Sequence, residues 1–181
     1  MVNLFVAVEP KPKGNKQRIV RRGRRGPLRV VNDKSVIAKQ TSLVHALWTH
    51  RDALRETLRG AVEVGVTFVL PIPGSWPAWK QEAAHRRLVF PYTDSAGSSG
   101  AIPDRGNLLK LLEDALEKAG YLANDSQIVG GPVAKVYGRV PGYELSISAK
   151  DEVTSFAEWK AYLESEELGA ERLALAKLAE H

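Results

Sequence analysis

The chain has 181 residues, no cysteine, four histidines and a formal net charge of +5. This length suits one domain with a real hydrophobic core and is short for two of typical size. Without cysteine there are no disulfides and no thiolate metal sites, so any metal would be held mainly by oxygen, which suits Mg²⁺ or Mn²⁺. No apolar run approaches the roughly 20 residues of a bilayer span, and the apolar part of MVNLFVAVEPKPKG is short for a secretion signal. The expectation is a cytoplasmic protein with no membrane partner.

Charge is unevenly spread along the chain. Residues 1–59 carry 14 Lys/Arg against 4 Asp/Glu, residues 60–150 carry 9 against 9, and residues 151–181 carry 3 against 8. A basic first third and an acidic tail suggest an arm for a polyanion at one end of the molecule.

In chain order, Val2, Leu4, Val6 and Val8 alternate as a short strand that stops at Pro10. Residues 10–27 hold Lys11, Lys13, Lys16, Arg18, Arg21, Arg22, Arg24 and Arg25 among prolines and glycines, which predicts a loop or ribbon, with LRVV (28–31) as the returning strand of a hairpin. Ile37, Leu43, Val44, Leu47, Leu54 and Leu58 recur at helical spacing, predicting a helix from Ser35 to Leu58. Residues 62–70 alternate Val62, Val64, Val66, Phe68 and Leu70 against Glu63 and Thr67, a strand with one buried face.

Residues 71–103 are rich in Pro, Gly, Ser and aromatic residues and predict a long connection with a short helix over 77–86. A helix follows from Arg105 to Ala119. Strands are predicted near 127–137 and 143–149, and a last amphipathic helix over 153–179, with Phe156, Trp159 and Leu163 on its apolar side. The order β(β)αβαββα, with no internal repeat and no phosphate-binding glycine loop, implies a two-layer α/β (α+β) domain. Its mixed sheet of four or five strands packs against helices over residues 1–150, and an acidic helix follows over 151–181. No nucleotide cofactor is expected.

The chemistry concentrates in PDRGNLLKLLEDALEKAGYLANDSQIV, residues 103–129. Leu108, Leu112, Ala115, Leu116 and Ala119 share one helical face, while Asn107, Lys110 and Asp114 lie opposite. Asp104 precedes the helix and Asp125 precedes the next strand. Two acids and a lysine brought to one sheet edge would hold a hard divalent cation, activate water and stabilise charge on a phosphate. The plainer alternative is that Asp104 is an N-cap and the Asn124-Asp125 pair a turn.

This segment resembles the signature of the RusA-type Holliday junction resolvases, in which PDxDNLxK opens a helix, a DAL turn follows and a DD-S/A-Q-V/I motif precedes a strand. Here these stand as Pro103-Asp104, Asn107-Leu108, Lys110, Asp114-Ala115-Leu116 and Asp125-Ser126-Gln127-Ile128. PKPKGNKQR (10–18) is similar to the family's basic hairpin, and PIPGSWPAWKQEA (71–83) to its stretch leading towards the acidic motif. The resemblance covers residues 2–149 in consistent order.

The resemblance implies a RusA-like fold and a phage- or prophage-type, Mg²⁺-dependent homodimer in the bacterial cytoplasm that binds four-way DNA junctions and nicks two strands symmetrically. Asp104 and Asp125 would be metal ligands and catalytic, Lys110 would meet the scissile phosphate, and Asn107 and the eight cations from Lys11 to Arg25 would contact DNA. Two positions depart from the pattern. The family's second carboxylate falls on Gly106, and the first acid of its DD pair on Asn124. Asp94 in the preceding loop is the preferred substitute ligand and Asp114 the other. Glu113 shares the azimuth of Gly106 but lies about 10 Å further along the helix. A catalytically impaired protein that binds branched DNA is the alternative that Gly106 suggests.

Trp76, Trp79, Phe90 and Tyr92 read first as plugs of a small core or a dimer contact, and second as stacking platforms for bases at an opened junction. His45 and His50 share no helical face, which argues against joint metal ligation.

Overall fold

The computed structural model describes residues 1–12, 17–21, 28–32, 34–54, 56–92, 102–152, 155 and 157–166, with residues 17–21, 28–32 and 34–36 described by their backbone alone. The chain falls into two units, Met1–Lys150 and Asp151–His181.

Strand β4 (Val62–Pro71) is the spine of the first unit. Its alternation buries Val62, Val64, Val66 and Phe68 completely or nearly so, and leaves Glu63 and Thr67 half-exposed on the other face. Strand β7 (Gly142–Ala149) lies antiparallel beside it, Val62 opposite Ala149 and Val69 opposite Gly142. Strand β1 (Val2–Val6) extends that side, Val2 opposite Ile147 and Val6 opposite Tyr143. On the other edge of β4, β5 (Ile128–Gly130) and β6 (Val133–Gly138) run parallel to it one after the other. The sheet is therefore mixed and five-stranded, and with the helices it makes the expected α+β domain.

The single strand expected over 127–137 is divided at Gly131-Pro132. Pro132 has no N–H to donate, and its carbonyl accepts the Val66 N–H at 2.8 Å. Gly131 has φ 138°, and a Cβ there would lie 2.1 Å from the Val64 carbonyl oxygen. Only glycine permits this approach of the two chains.

Helix α3 (Arg105–Lys118) starts at Asp104, whose Oδ1 accepts the Asn107 N–H at 3.1 Å. Its Leu108, Leu111, Leu112 and Leu116 are buried in one cluster with Leu43 and Leu47 of α1 (Lys34–Thr49) and the valines of β4. Each such leucine stabilises the fold by about 1.5–3 kcal/mol. Gly120, at φ 78°, ends the helix in the left-handed conformation. Tyr121 follows, fully buried, and its hydroxyl donates to the Leu47 carbonyl at 3.0 Å.

Helix α1 is shorter than predicted. It ends at Thr49, a 3₁₀ turn spans Arg51–Ala53, and Leu54 is already extended. Leu54 and Leu58 continue the helical spacing, yet Leu54 reaches the core from non-helical backbone, and the Leu58 N–H donates to the Tyr121 carbonyl at 3.0 Å. The short helix predicted over 77–86 is α2 (Ala78–His85), entered through Pro77.

Beyond β1, β2 (Gln17–Arg21) and β3 (Leu28–Asn32) pair antiparallel as a ribbon separate from the main sheet, Gln17 opposite Asn32 and Arg21 opposite Leu28. The returning strand expected at 28–31 is present, and its partner is the basic segment itself. In the second unit residues 157–166 are helical, with the exposed Trp159 and Tyr162 rings stacked 5.8 Å apart. Phe156 and residues 167–179 of the predicted helix lie outside the described residues.

Candidate active site and nucleic-acid interface

The first turn of α3 presents Asp104, Arg105 and Gly106 to solvent, with Asn107 half-buried and Lys110 exposed one turn on. Asp104 meets the plainer of its two sequence readings, the N-cap. It caps the helix through Oδ1, and its carboxylate stands at a positive helix end, where negative charge is favoured. A Cβ at Gly106 would lie 3.2 Å from Asp104 Oδ1, so the missing side chain leaves space directly beside the capping carboxylate.

Lys135, which nothing in the sequence singled out, belongs to the same end of the helix. It lies opposite Phe68 in the β4–β6 register and donates to the Pro103 carbonyl at 3.1 Å, one residue before Asp104. At the other end of the helix, Leu122 just past α3 bridges Leu58 just ahead of β4. Helix α3 therefore runs back along β4, and its start stands beside the C-terminal half of that strand.

Asp125 is elsewhere. It opens a 3₁₀ turn (Asp125–Gln127) directly before Ile128, which pairs with Val62 at the beginning of β4. Val62 and Phe68 are about 20 Å apart along an extended strand. A helix that runs antiparallel to the parallel strands it connects starts where they end, so the crossover sets Asp104 and Asp125 at different levels of the domain and does not bring them to one sheet edge.

The neighbour of Asp125 is Glu113, in the middle of α3. Partial burial pushes the Glu113 carboxyl above its ordinary value, the carboxylates of Asp125 and Asp114 push it further, and the Lys110 ammonium works against them. Lys110 thus stands between the helix start and an acidic pair. Asp114 turns to another partner, since its Oδ2 accepts from Gln40 Nε2 of α1 at 3.3 Å, and Gln40 Oε1 in turn accepts from Lys118 at 2.6 Å.

The Ala123–Gln127 turn is held by Gln127. Its Oε1 accepts the N–H groups of Ala123 and Asn124 at 2.7 and 2.9 Å, and its Nε2 donates to the carbonyls of Leu58 and Gly60 at 3.2 and 2.9 Å. Asn124 caps the turn through Oδ1, which accepts the Ser126 N–H at 2.8 Å. Asparagine performs this capping as well as aspartate does, so the departure at Asn124 preserves the turn and leaves Asp125 exposed.

Of the basic arm, Lys11 is described. It pairs with Glu9 at 3.2 Å, and its backbone lies near the hydroxyl of the buried Tyr143. Lys13, Lys16, Arg22, Arg24 and Arg25 lie outside the described residues, as do the side chains of Arg18 and Arg21 on β2. Asp94 also lies outside them. Arg86 and Arg87 are paired with Glu82 and Glu144 at 2.8 and 2.6 Å.

A magnesium ion requires several oxygen ligands around one point. Among the described residues no three His, Asp or Glu side chains converge closely enough to hold an ion. The described residues therefore do not by themselves make the cation site that the family pattern implies.

The sequence model of the family described as Endodeoxyribonuclease RusA matches residues 7–148, well over half of the chain and nearly all of the first unit. The chain belongs to the RusA family. This membership places the chain among DNA endonucleases at the level of the family, and the mixed sheet with its helices is the RusA-like fold that the motifs led one to expect. No curated protein matches the chain significantly. Among the described residues no helix is long and apolar enough to cross a membrane.

Proposed function

We propose that this RusA-family chain is a structure-selective endonuclease that binds four-way DNA junctions and resolves them by paired nicks, acting as a homodimer in the bacterial cytoplasm. The observation that carries this reading is the family match running through an α3 start at which Asp104 is exposed and two lysines, Lys110 and Lys135, attend the same helix. A carboxylate at an open helix end beside fixed cations suits phosphodiester hydrolysis. The cations and the helix dipole compensate charge that builds on the phosphate, and the carboxylate orients or deprotonates water. Asp125 is carried in the reading as a second carboxylate, set by the crossover at a different level of the domain from Asp104. Paired incision needs two such sites, which a two-fold dimer supplies. Mg²⁺, with Mn²⁺ as substitute, is part of the reading, and dependence on it is decided by EDTA treatment.

The assignment is tested by Asp104→Asn and Asp125→Asn. Asparagine keeps the α3 cap at position 104 and replaces an exposed side chain at position 125 without added bulk, so each variant should fold and bind a labelled junction as the natural chain does. Single-turnover nicking should fall at least about 100-fold, the scale of a lost general base. Weakened binding with an unchanged rate on bound DNA would overturn these roles.

A second reading is a branched-DNA-binding protein with impaired chemistry. It is favoured by Gly106 together with the separation of Asp104 from Asp125 along β4. Tight junction binding without metal-dependent nicking would select it.

A further inference from the structure

Beside the start of α3 a cleft of about 820 Å³ opens between the end of β4, α2 and the segment leading out of β1. Its inner wall is aromatic. The Trp76 ring meets Tyr137 edge-on at 5.1 Å, and the Lys80 ammonium sits over Trp76 at 4.2 Å from the ring centroid. Phe90 and Tyr92 also line the cleft and are 58% and 67% exposed. Pro103, the residue before Asp104, forms part of the same wall.

From this arrangement we infer that the cleft is a nucleobase subsite. It takes one base unstacked from the DNA strand that passes Asp104 and holds it against Phe90. The volume lies within the range of sites that enclose small ligands. The lining matches one class of occupant, aromatic faces for a base and ammonium groups for the phosphates beside it. Glu9 is the acidic residue of the lining, and Lys11 neutralises it at 3.2 Å. The segment that lines one side, ending at Pro12, continues into the Lys/Arg-rich ribbon, so the cleft joins the polyanion arm to the helix start. Within the described lining the Lys80 ammonium has no carboxylate of its own, because Glu9 is paired with Lys11. A nucleotide supplies a counter-charge. Unpaired or easily unpaired bases occur at a branch point and not within linear duplex, so the subsite gives a physical basis for preferring branched DNA.

This inference rests on the nuclease reading, and one experiment separates the two. The full chain, Phe90→Ala and Phe90→Trp are titrated with a four-way junction carrying 2-aminopurine next to the branch point, and with a linear duplex carrying the same label. Phe90 is exposed, so its truncation leaves the core intact. The natural chain and Phe90→Trp should both change the 2-aminopurine emission on the junction. Phe90→Ala should abolish that change and lose roughly five- to hundredfold in junction affinity, about the contribution of one base–aromatic stack, with duplex affinity retained. Unchanged junction affinity and emission in Phe90→Ala would overturn the subsite while leaving the nuclease reading intact, and so would equal losses on both DNAs. A natural chain with no preference for the junction would overturn both.

Discussion

Glu113 shows how a single side chain at this site responds to its surroundings. Its carboxyl is raised above the ordinary 4.5 by partial burial first and by Asp125 and Asp114 second. A raised acid binds its proton more tightly in the folded chain than in the unfolded one, so the contribution of Glu113 to stability is complete below pH 4.5 and is lost as pH rises through the raised value. Glu113→Gln removes that loss. Thermal unfolding in EDTA should show the variant more stable than the natural chain at pH 7, by less than about 1 kcal/mol because the group is largely solvated, with the difference closing below pH 4.5. A variant equally less stable at both pH values would contradict the account. At this scale Asp104 was readable from the sequence, because aspartate before an amphipathic run is a local cap signal, and the structure shows the cap. Lys135 and Gln127 were not readable. A lysine in a strand and a glutamine in a turn carry no local pattern, and their contacts with Pro103, Leu58 and Gly60 arise only when distant elements pack.

Among the elements, β4 and α3 were read nearly residue by residue because each has a single buried face, and burial imposes period 2 or 3.6 on the sequence. The errors fall where burial and conformation part company. Leu54 and Leu58 keep helical spacing beyond Thr49 while the backbone has already left the helix. The predicted 127–137 strand is cut at Gly131, where close approach to Val64 decides the conformation. Gly131→Ala should therefore cost about 1–3 kcal/mol or more from backbone strain alone and lower the melting temperature by several degrees; an unshifted melting curve would show that the approach is not required. The β2–β3 ribbon was readable as a basic hairpin, and its function is measurable without knowing where each cation points. If about six of the eight cations between Lys11 and Arg25 pair with phosphates, the logarithm of DNA affinity should fall against the logarithm of salt concentration with a slope near about −5. A slope shallower than about −2 would leave the ribbon without that role.

On the scale of the whole molecule, charge and motif order agree. The basic arm, the aromatic connection and the α3 start follow one another in the sequence, and in the structure the segment from Glu9 to Pro12, Trp76 and Pro103 line a common cleft. The sequence could not reveal that the same crossover carries Asp125 away from Asp104, because direction along a helix that returns over its sheet is a property of topology and not of spacing. Gly106 and that separation are the features that divide the nuclease proposal from the binding-protein alternative. The most direct measurement incubates the purified chain with a labelled four-way junction and a matched linear duplex, in Mg²⁺, in Mn²⁺ and in EDTA. Paired nicks on the junction alone, abolished by EDTA, are the expected result. Tight binding of the junction with no cleavage in either metal would contradict it and establish the chain as a branched-DNA-binding protein.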